Sequence, residues 1–120
     1  MNTVSIRGAI TVDINTQESI LSSTKELIEA IEKRNRLIKS NVICMLFTAT
    51  SDLDAAYPAK AARMLGYTQC SLMCFQEMAV KGSLSKCIRV LILYLSEANQ
   101  DGVKHVYLRE ASVLRPDLSS

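Results

Sequence analysis

The sequence has little of what most enzymes use for chemistry. It holds one histidine, His105, in 120 residues, and no Ser-His-Asp arrangement or histidine base can be drawn from it. A glycine-rich phosphate loop is also missing. Four cysteines are present, at Cys44, Cys70, Cys74 and Cys87, but the closest pair reads "CSLMC" rather than CxxC. With His105 distant in sequence, these parts do not make a zinc site, and no metal or other cofactor is expected. Charge is nearly balanced at a formal +2, too little to indicate nucleic acid or an anionic membrane as partner. The longest apolar run, Val90 to Leu95, falls far short of the roughly 18 residues that span a bilayer. "MNTVSIRGAITVD" meets Arg7 and Asp13 too early for a signal peptide, so a cytoplasmic protein with reduced, buried thiols is expected. Internal repeats, low-complexity tracts and linkers rich in Pro, Gly or Ser are all absent. One domain spanning residues 1–120 follows, large enough to bury a core without staples.

What is present is periodic. "VSIRGAITVD" alternates through Val4, Ile6, Ile10 and Val12 and reads as a first strand, with Gly8 marking a bulge or a close approach. "NTQESILSSTKELIEAIEKRN" places Ile20, Leu21, Thr24, Leu27, Ile28 and Ile31 on one helical face, with Asn15 and Glu18 suggesting its N-terminal cap. "NVICMLFTAT" reads as a buried strand. Pro58 and Gly66 bracket a short second helix, and "QCSLMCF" gives a third strand. "SKCIRVLILYLSEA" fits either a helix capped by Ser83 or a strand apolar on both faces, which periodicity alone does not separate. Asp101-Gly102 marks a turn into "VKHVYLREASVL", a final strand. A hairpin through that turn favours the strand for residues 87 to 95. The order is β-α-β-α-β-β-β, an α+β fold around one sheet.

Several polar residues interrupt or end these strands: Arg7, Glu77, Arg89, Tyr107 and Arg115. Any one of them could be a solvated strand end. Arg89 is the hardest to place so, because Ile88 and the run from Val90 to Leu95 leave it little solvated surface and its charge cannot be shed. Together the set is cationic and hydrogen-bonding. Arginine forks bind carboxylates, and a glutamate accepts from a hydroxyl. A small organic anion with carboxylates and a hydroxyl would suit them.

"IRGAITV", "TATSDLDAAYPAKAARMLG", "CFQEM", "KCIRVLI" and "HVYLREASVLRPDLS" together resemble the AroH-type monofunctional chorismate mutases, in matching order from Ile6 to Ser119. The resemblance implies an isomerase that rearranges chorismate to prephenate in phenylalanine and tyrosine biosynthesis, within the shikimate pathway, without cofactor or covalent intermediate. It implies a mixed sheet with helices on one side, and a homotrimer resembling a barrel, with sites between subunits. It places residues 87 to 95 in a strand. By the same resemblance, Arg7 binds a substrate carboxylate, Arg89 meets a carboxylate and the ether oxygen, and Tyr107 contacts the side-chain carboxylate. Glu77 and Cys74 engage the ring hydroxyl, with Met73, Phe75 and Gln76 lining the pocket. Tyr57, Ala59, Lys60 and Arg63 form the facing wall from the next subunit. Leu114 and Arg115 close the mouth from a mobile tail of about residues 112–120. Met73 stands where the family often has threonine, and Tyr57 where phenylalanine is common.

Three rival readings remain at this stage: a catalytically silent trimeric small-anion-binding protein, a Rid-type imine deaminase, and a structural trimer in which Arg89 pairs across the interface with Glu77 or Asp54. Neither of the first two accounts for "CIRV", "FQE", "YPAKAAR" and "LRPDL" together.

Overall fold

A computed structural model describes residues 1–114. Strand β1 (Asn2–Thr11) leads into helix α1 (Gln17–Asn35). Strand β2 (Val42–Ala49), helix α2 (Pro58–Met64) and strand β3 (Ser71–Gln76) follow, then β4 (Cys87–Ser96) and a short β5 (Val106–Leu108). Turns of 3-10 helix occupy Lys39–Asn41, Gln100–Gly102 and Arg109–Val113. The five strands form one mixed sheet in the order β3-β2-β4-β1-β5. Strand β4 runs antiparallel to both β1 and β2, while β5 lies parallel to β1 and β3 parallel to β2. This is the expected α+β order.

The segment that sequence left between helix and strand is the central strand β4. Its even residues Ile88, Val90, Ile92 and Tyr94 are buried, while Arg89, Leu91, Leu93 and Leu95 take the other face and are partly or well exposed. Burial on both faces is therefore not realised within one chain.

Helix α1 docks through its apolar stripe, with Ile20, Leu27, Ile28 and Ile31 fully buried against the even face of β1 and β4. Each such side chain contributes about 1.5–3 kcal/mol on burial. Propensity differences are only tenths of a kcal/mol per residue, so the stripe decides the docking. Gly8 permits it: a Cβ there would lie 2.8 Å from Ile31 Cδ1 and 3.2 Å from the Val106 carbonyl. The close-approach reading of Gly8 thus holds over the bulge. Helix α2 covers the same face through Ala59, Ala61 and Ala62. Gly66, at φ 97°, makes the left-handed exit that follows it.

Three expectations are corrected. Helix α1 is capped by Thr16, whose hydroxyl accepts from Ser19 N–H at 3.1 Å; the Asn15 side chain instead accepts from the N–H groups of Asp54 and Ala55. There is no hairpin through Asp101-Gly102. Both edges of β4 are already occupied by β1 and β2, so the chain crosses over and adds β5 parallel to β1. The final strand is also shorter than "VKHVYLREASVL". It ends at Leu108, where Arg109 adopts φ 55° and turns the chain into 3-10 geometry. Of the four thiols, all are free and Cys87 alone is buried.

Candidate active site

The register of the sheet builds the site. On the face away from α1 and α2, one row runs Phe75, Thr48, Arg89, Ala9, Tyr107 across all five strands. The next row holds Met73, Leu46, Leu91 and Arg7. Side chains two residues apart on a strand point the same way, so Arg7 joins Arg89 and Tyr107 on one surface. Glu77 follows β3 directly, its N–H donating to the Ala49 carbonyl at 2.9 Å. These groups line an open cavity of about 620 Å³, together with Gly8, Leu46 and Leu114.

Within it, Arg89 Nε lies 3.2 Å from Glu77 Oε1. The same oxygen accepts from the Thr48 hydroxyl at 2.7 Å. The Arg89 side chain is 46% exposed, so it is both paired and accessible. Pairing with Glu77 occurs inside one chain. Tyr107 packs with Ala9, Cys87 and Ala111 in a small cluster flanked by Leu84 and Leu114. Burial pushes the Cys87 thiol above its ordinary range despite the nearby Arg89 charge. That keeps it a neutral packing group rather than a nucleophile.

A second cavity lies between the end of β3 and the segment leading into α2, lined by Tyr57, Lys60, Cys74 and Gln76 among others, and it shares only Phe75 with the first. Cys74 therefore does not stand beside Glu77 within one chain. It alternates to the opposite side of β3 from Phe75. Arg63 is exposed on α2, Ala59 is buried in the main core, and Met73 is exposed on the sheet without lining either cavity. Arg115 lies outside the described residues, as does most of the expected tail; Ser112 and Val113 belong to the turn Arg109–Val113. Thr48 was missed from sequence. One of two threonine hydroxyls in "MLFTAT" gives no sign of its partner 29 positions away.

Residues 3–118 match the family model described as chorismate mutase type I. The chain belongs to this family. It is 49% identical over 115 residues to chorismate mutase AroH of Bacillus subtilis, covering 95% of this chain and 91% of that protein. Against chorismate mutase AroH of Thermus thermophilus it is 46% identical over 116 residues, covering 96% and 95%. A solved chorismate mutase from Clostridium thermocellum superposes with a TM-score of 0.89 at 45% identity, covering 91% of this chain and 97% of the other. The type I chorismate mutase fold thus accounts for the mixed sheet with both helices on one side. Among the described residues no helix is long and apolar enough to cross a membrane.

Proposed function

We propose that this protein is an isomerase converting chorismate to prephenate, and that the cavity of Arg7, Glu77, Arg89 and Tyr107 holds the substrate. The observation that carries this reading is convergence. Two guanidinium groups, a phenol and a carboxylate from four separate segments meet on one cavity, with no activated nucleophile among them. A unimolecular pericyclic reaction needs only such a set. Arg7 and Tyr107 take the two carboxylates and hold the enolpyruvyl arm folded over the ring, a near-attack conformer. As the C–O bond breaks, negative charge gathers on the ether oxygen. Arg89, already in place, stabilises that charge more than the ground state. Glu77 accepts from the ring hydroxyl. A silent binder would use the same groups to hold its anion, so turnover is what separates the two readings.

The site is completed by a second copy. Phe75 (46% exposed), Met73 (53%) and Leu95 (38%) leave the helix-free face of the sheet apolar and open, as a face covered by another subunit would be. Tyr57, Lys60 and Cys74, gathered in the separate cavity, are assigned to the wall facing the Arg89 cavity of a neighbour in a homotrimer, with Arg63 and the Ala59 backbone beside them. Leu114 and Arg115 are assigned to the mouth.

The test is to mix purified protein with chorismate and a chelator, and to follow loss of the enolpyruvyl absorbance together with prephenate formation. Acceleration in the presence of chelator is expected. No acceleration would leave the binding-protein reading in its place. Light scattering at micromolar protein should give three times the chain mass, and a monomer would remove the shared-site part of the proposal.

A further inference from the structure

Glu77 has two carboxylate oxygens, and the structure treats them differently. Oε1 accepts from the Thr48 hydroxyl and faces Arg89 Nε. No hydrogen bond from the described residues ends on Oε2. Thr48 sits directly opposite Arg89 in the β2–β4 ladder and directly opposite Phe75 in the β2–β3 ladder. Its hydroxyl is therefore fixed in the same row as the guanidinium. Glu77 is pinned at both ends, by its N–H on the Ala49 carbonyl and by its Oε1 on Thr48. The link between them is a flexible side chain that would otherwise sample several rotamers.

We propose that Thr48 is a positioning residue that sets the specificity of Glu77 for the substrate's ring hydroxyl. An arginine and a carboxylate left to themselves tend toward a fork, two parallel N–H···O bonds that occupy both oxygens and two nitrogens. By engaging Oε1, Thr48 holds Glu77 off that arrangement. Oε2 remains as an acceptor for the hydroxyl, and the terminal nitrogens of Arg89 remain for the ether oxygen. Thr48 touches neither reacting atom; it acts through Glu77. This inference rests on the chorismate reading of the cavity.

The test uses Thr48→Val, which keeps the shape and removes the donor, and Thr48→Ser, which keeps the donor. A hydrogen bond to a charged group of this kind corresponds to roughly a tenfold effect or somewhat more. We expect kcat/KM for chorismate to fall about tenfold in Thr48→Val and by less than about threefold in Thr48→Ser. The decisive readout is binding, by calorimetry, of two unreactive cyclic ether dicarboxylates that differ only in the ring hydroxyl. Thr48→Val should weaken the hydroxylated inhibitor about tenfold and leave its deoxy counterpart unchanged. In a Glu77→Ala background, which leaves Thr48 no side-chain acceptor at position 77, the Thr48→Val effect should disappear. Equal weakening of both inhibitors, or an undiminished effect in the Glu77→Ala background, would overturn the proposal. Failure of the wild type to turn over chorismate would count against the function instead, and the inhibitor comparison would still read the Thr48–Glu77 link.

Discussion

Arg89 and Tyr107 stand at the same level of the sheet, two strands apart, with only the methyl group of Ala9 between them. Strand spacing puts their Cα atoms about 10 Å from each other, a gap suited to a small dianion. Ala9 is fully buried against Tyr107, Cys87 and Ala111, so its size sets where the Tyr107 ring rests. Ala9→Leu should overpack this cluster and press on the Tyr107 ring. The expected result is a loss of at least about tenfold in kcat/KM, with overpacking costing about 1–3 kcal/mol of stability. Ala9→Ser should retain most activity. Steady-state kinetics beside urea unfolding would check both, and wild-type kinetics in a folded Ala9→Leu protein would sink the idea.

Arg89 tests electrostatics apart from folding. Its ion pair with Glu77 is partly exposed, and pairs of that kind contribute only about 0–1 kcal/mol. Arg89→Ala should therefore barely move the unfolding midpoint, while turnover falls at least about a hundredfold, the scale for losing one preorganised donor. Arg89→Lys should also be poor, since a single ammonium replaces the fork. Near wild-type turnover in folded Arg89→Ala would remove the arginine from the mechanism.

How much of this was legible beforehand depended on the range of the interaction. The stripe of α1 and the alternation of β1 are written locally, because a period of 3.6 or 2 decides which side chains share a face. Both appear as read. The pairing of strands is not local. Asp101-Gly102 looks like a hairpin turn, yet β4 has its two edges filled by β1 and β2, and nothing within ten residues of that turn records it. The same holds for the site. Arg7 and Arg89 stood out as charges in apolar strands, whereas Thr48 gained meaning only when register put it opposite Arg89. Cys74 sits three positions before Glu77 in the chain, and the alternation along β3 sends it to another cavity.

His105 offers a prediction of a different kind. The β1–β5 ladder begins at Gly8, paired with Val106, so the N–H of Arg7 lies just outside it. That N–H donates to His105 Nδ1 at 2.9 Å, a ring nitrogen standing where a strand carbonyl would be. His105→Phe removes the acceptor and frees the backbone that carries Arg7. KM should rise severalfold with a smaller change in kcat, as expected when a substrate-binding group loses its placement. His105→Asn, which keeps an acceptor near the same position, should recover most of the loss. In an Arg7→Ala background the effect of His105→Phe should vanish. If it persists there, His105 acts on something other than Arg7.

Tyr67 predicts how stability responds to alkali. Its hydroxyl donates to Glu32 Oε2, tying the segment after α2 to α1, and its ring lies 5.4 Å from Lys39 Nζ. Burial first, then the Glu32 hydrogen bond and charge, push the phenol far above its ordinary value. An unfolded tyrosine ionises near about pH 10. Above that, the unfolded chain releases a proton that the folded chain retains, so stability falls as pH rises. The contribution is fully present below about pH 10 and lost toward the raised folded value, at up to about 1.4 kcal/mol per pH unit. Tyr67→Phe cannot ionise there. It should cost about 1 kcal/mol at pH 8 through the lost hydrogen bond, and that deficit should shrink by about 1 kcal/mol or more between pH 9 and 11. Urea unfolding of both proteins across that range measures the difference, with the other titrating groups common to the pair. Parallel curves would mean that Tyr67 ionises as readily in the folded chain as in the unfolded one, and that its bond to Glu32 does not hold the proton.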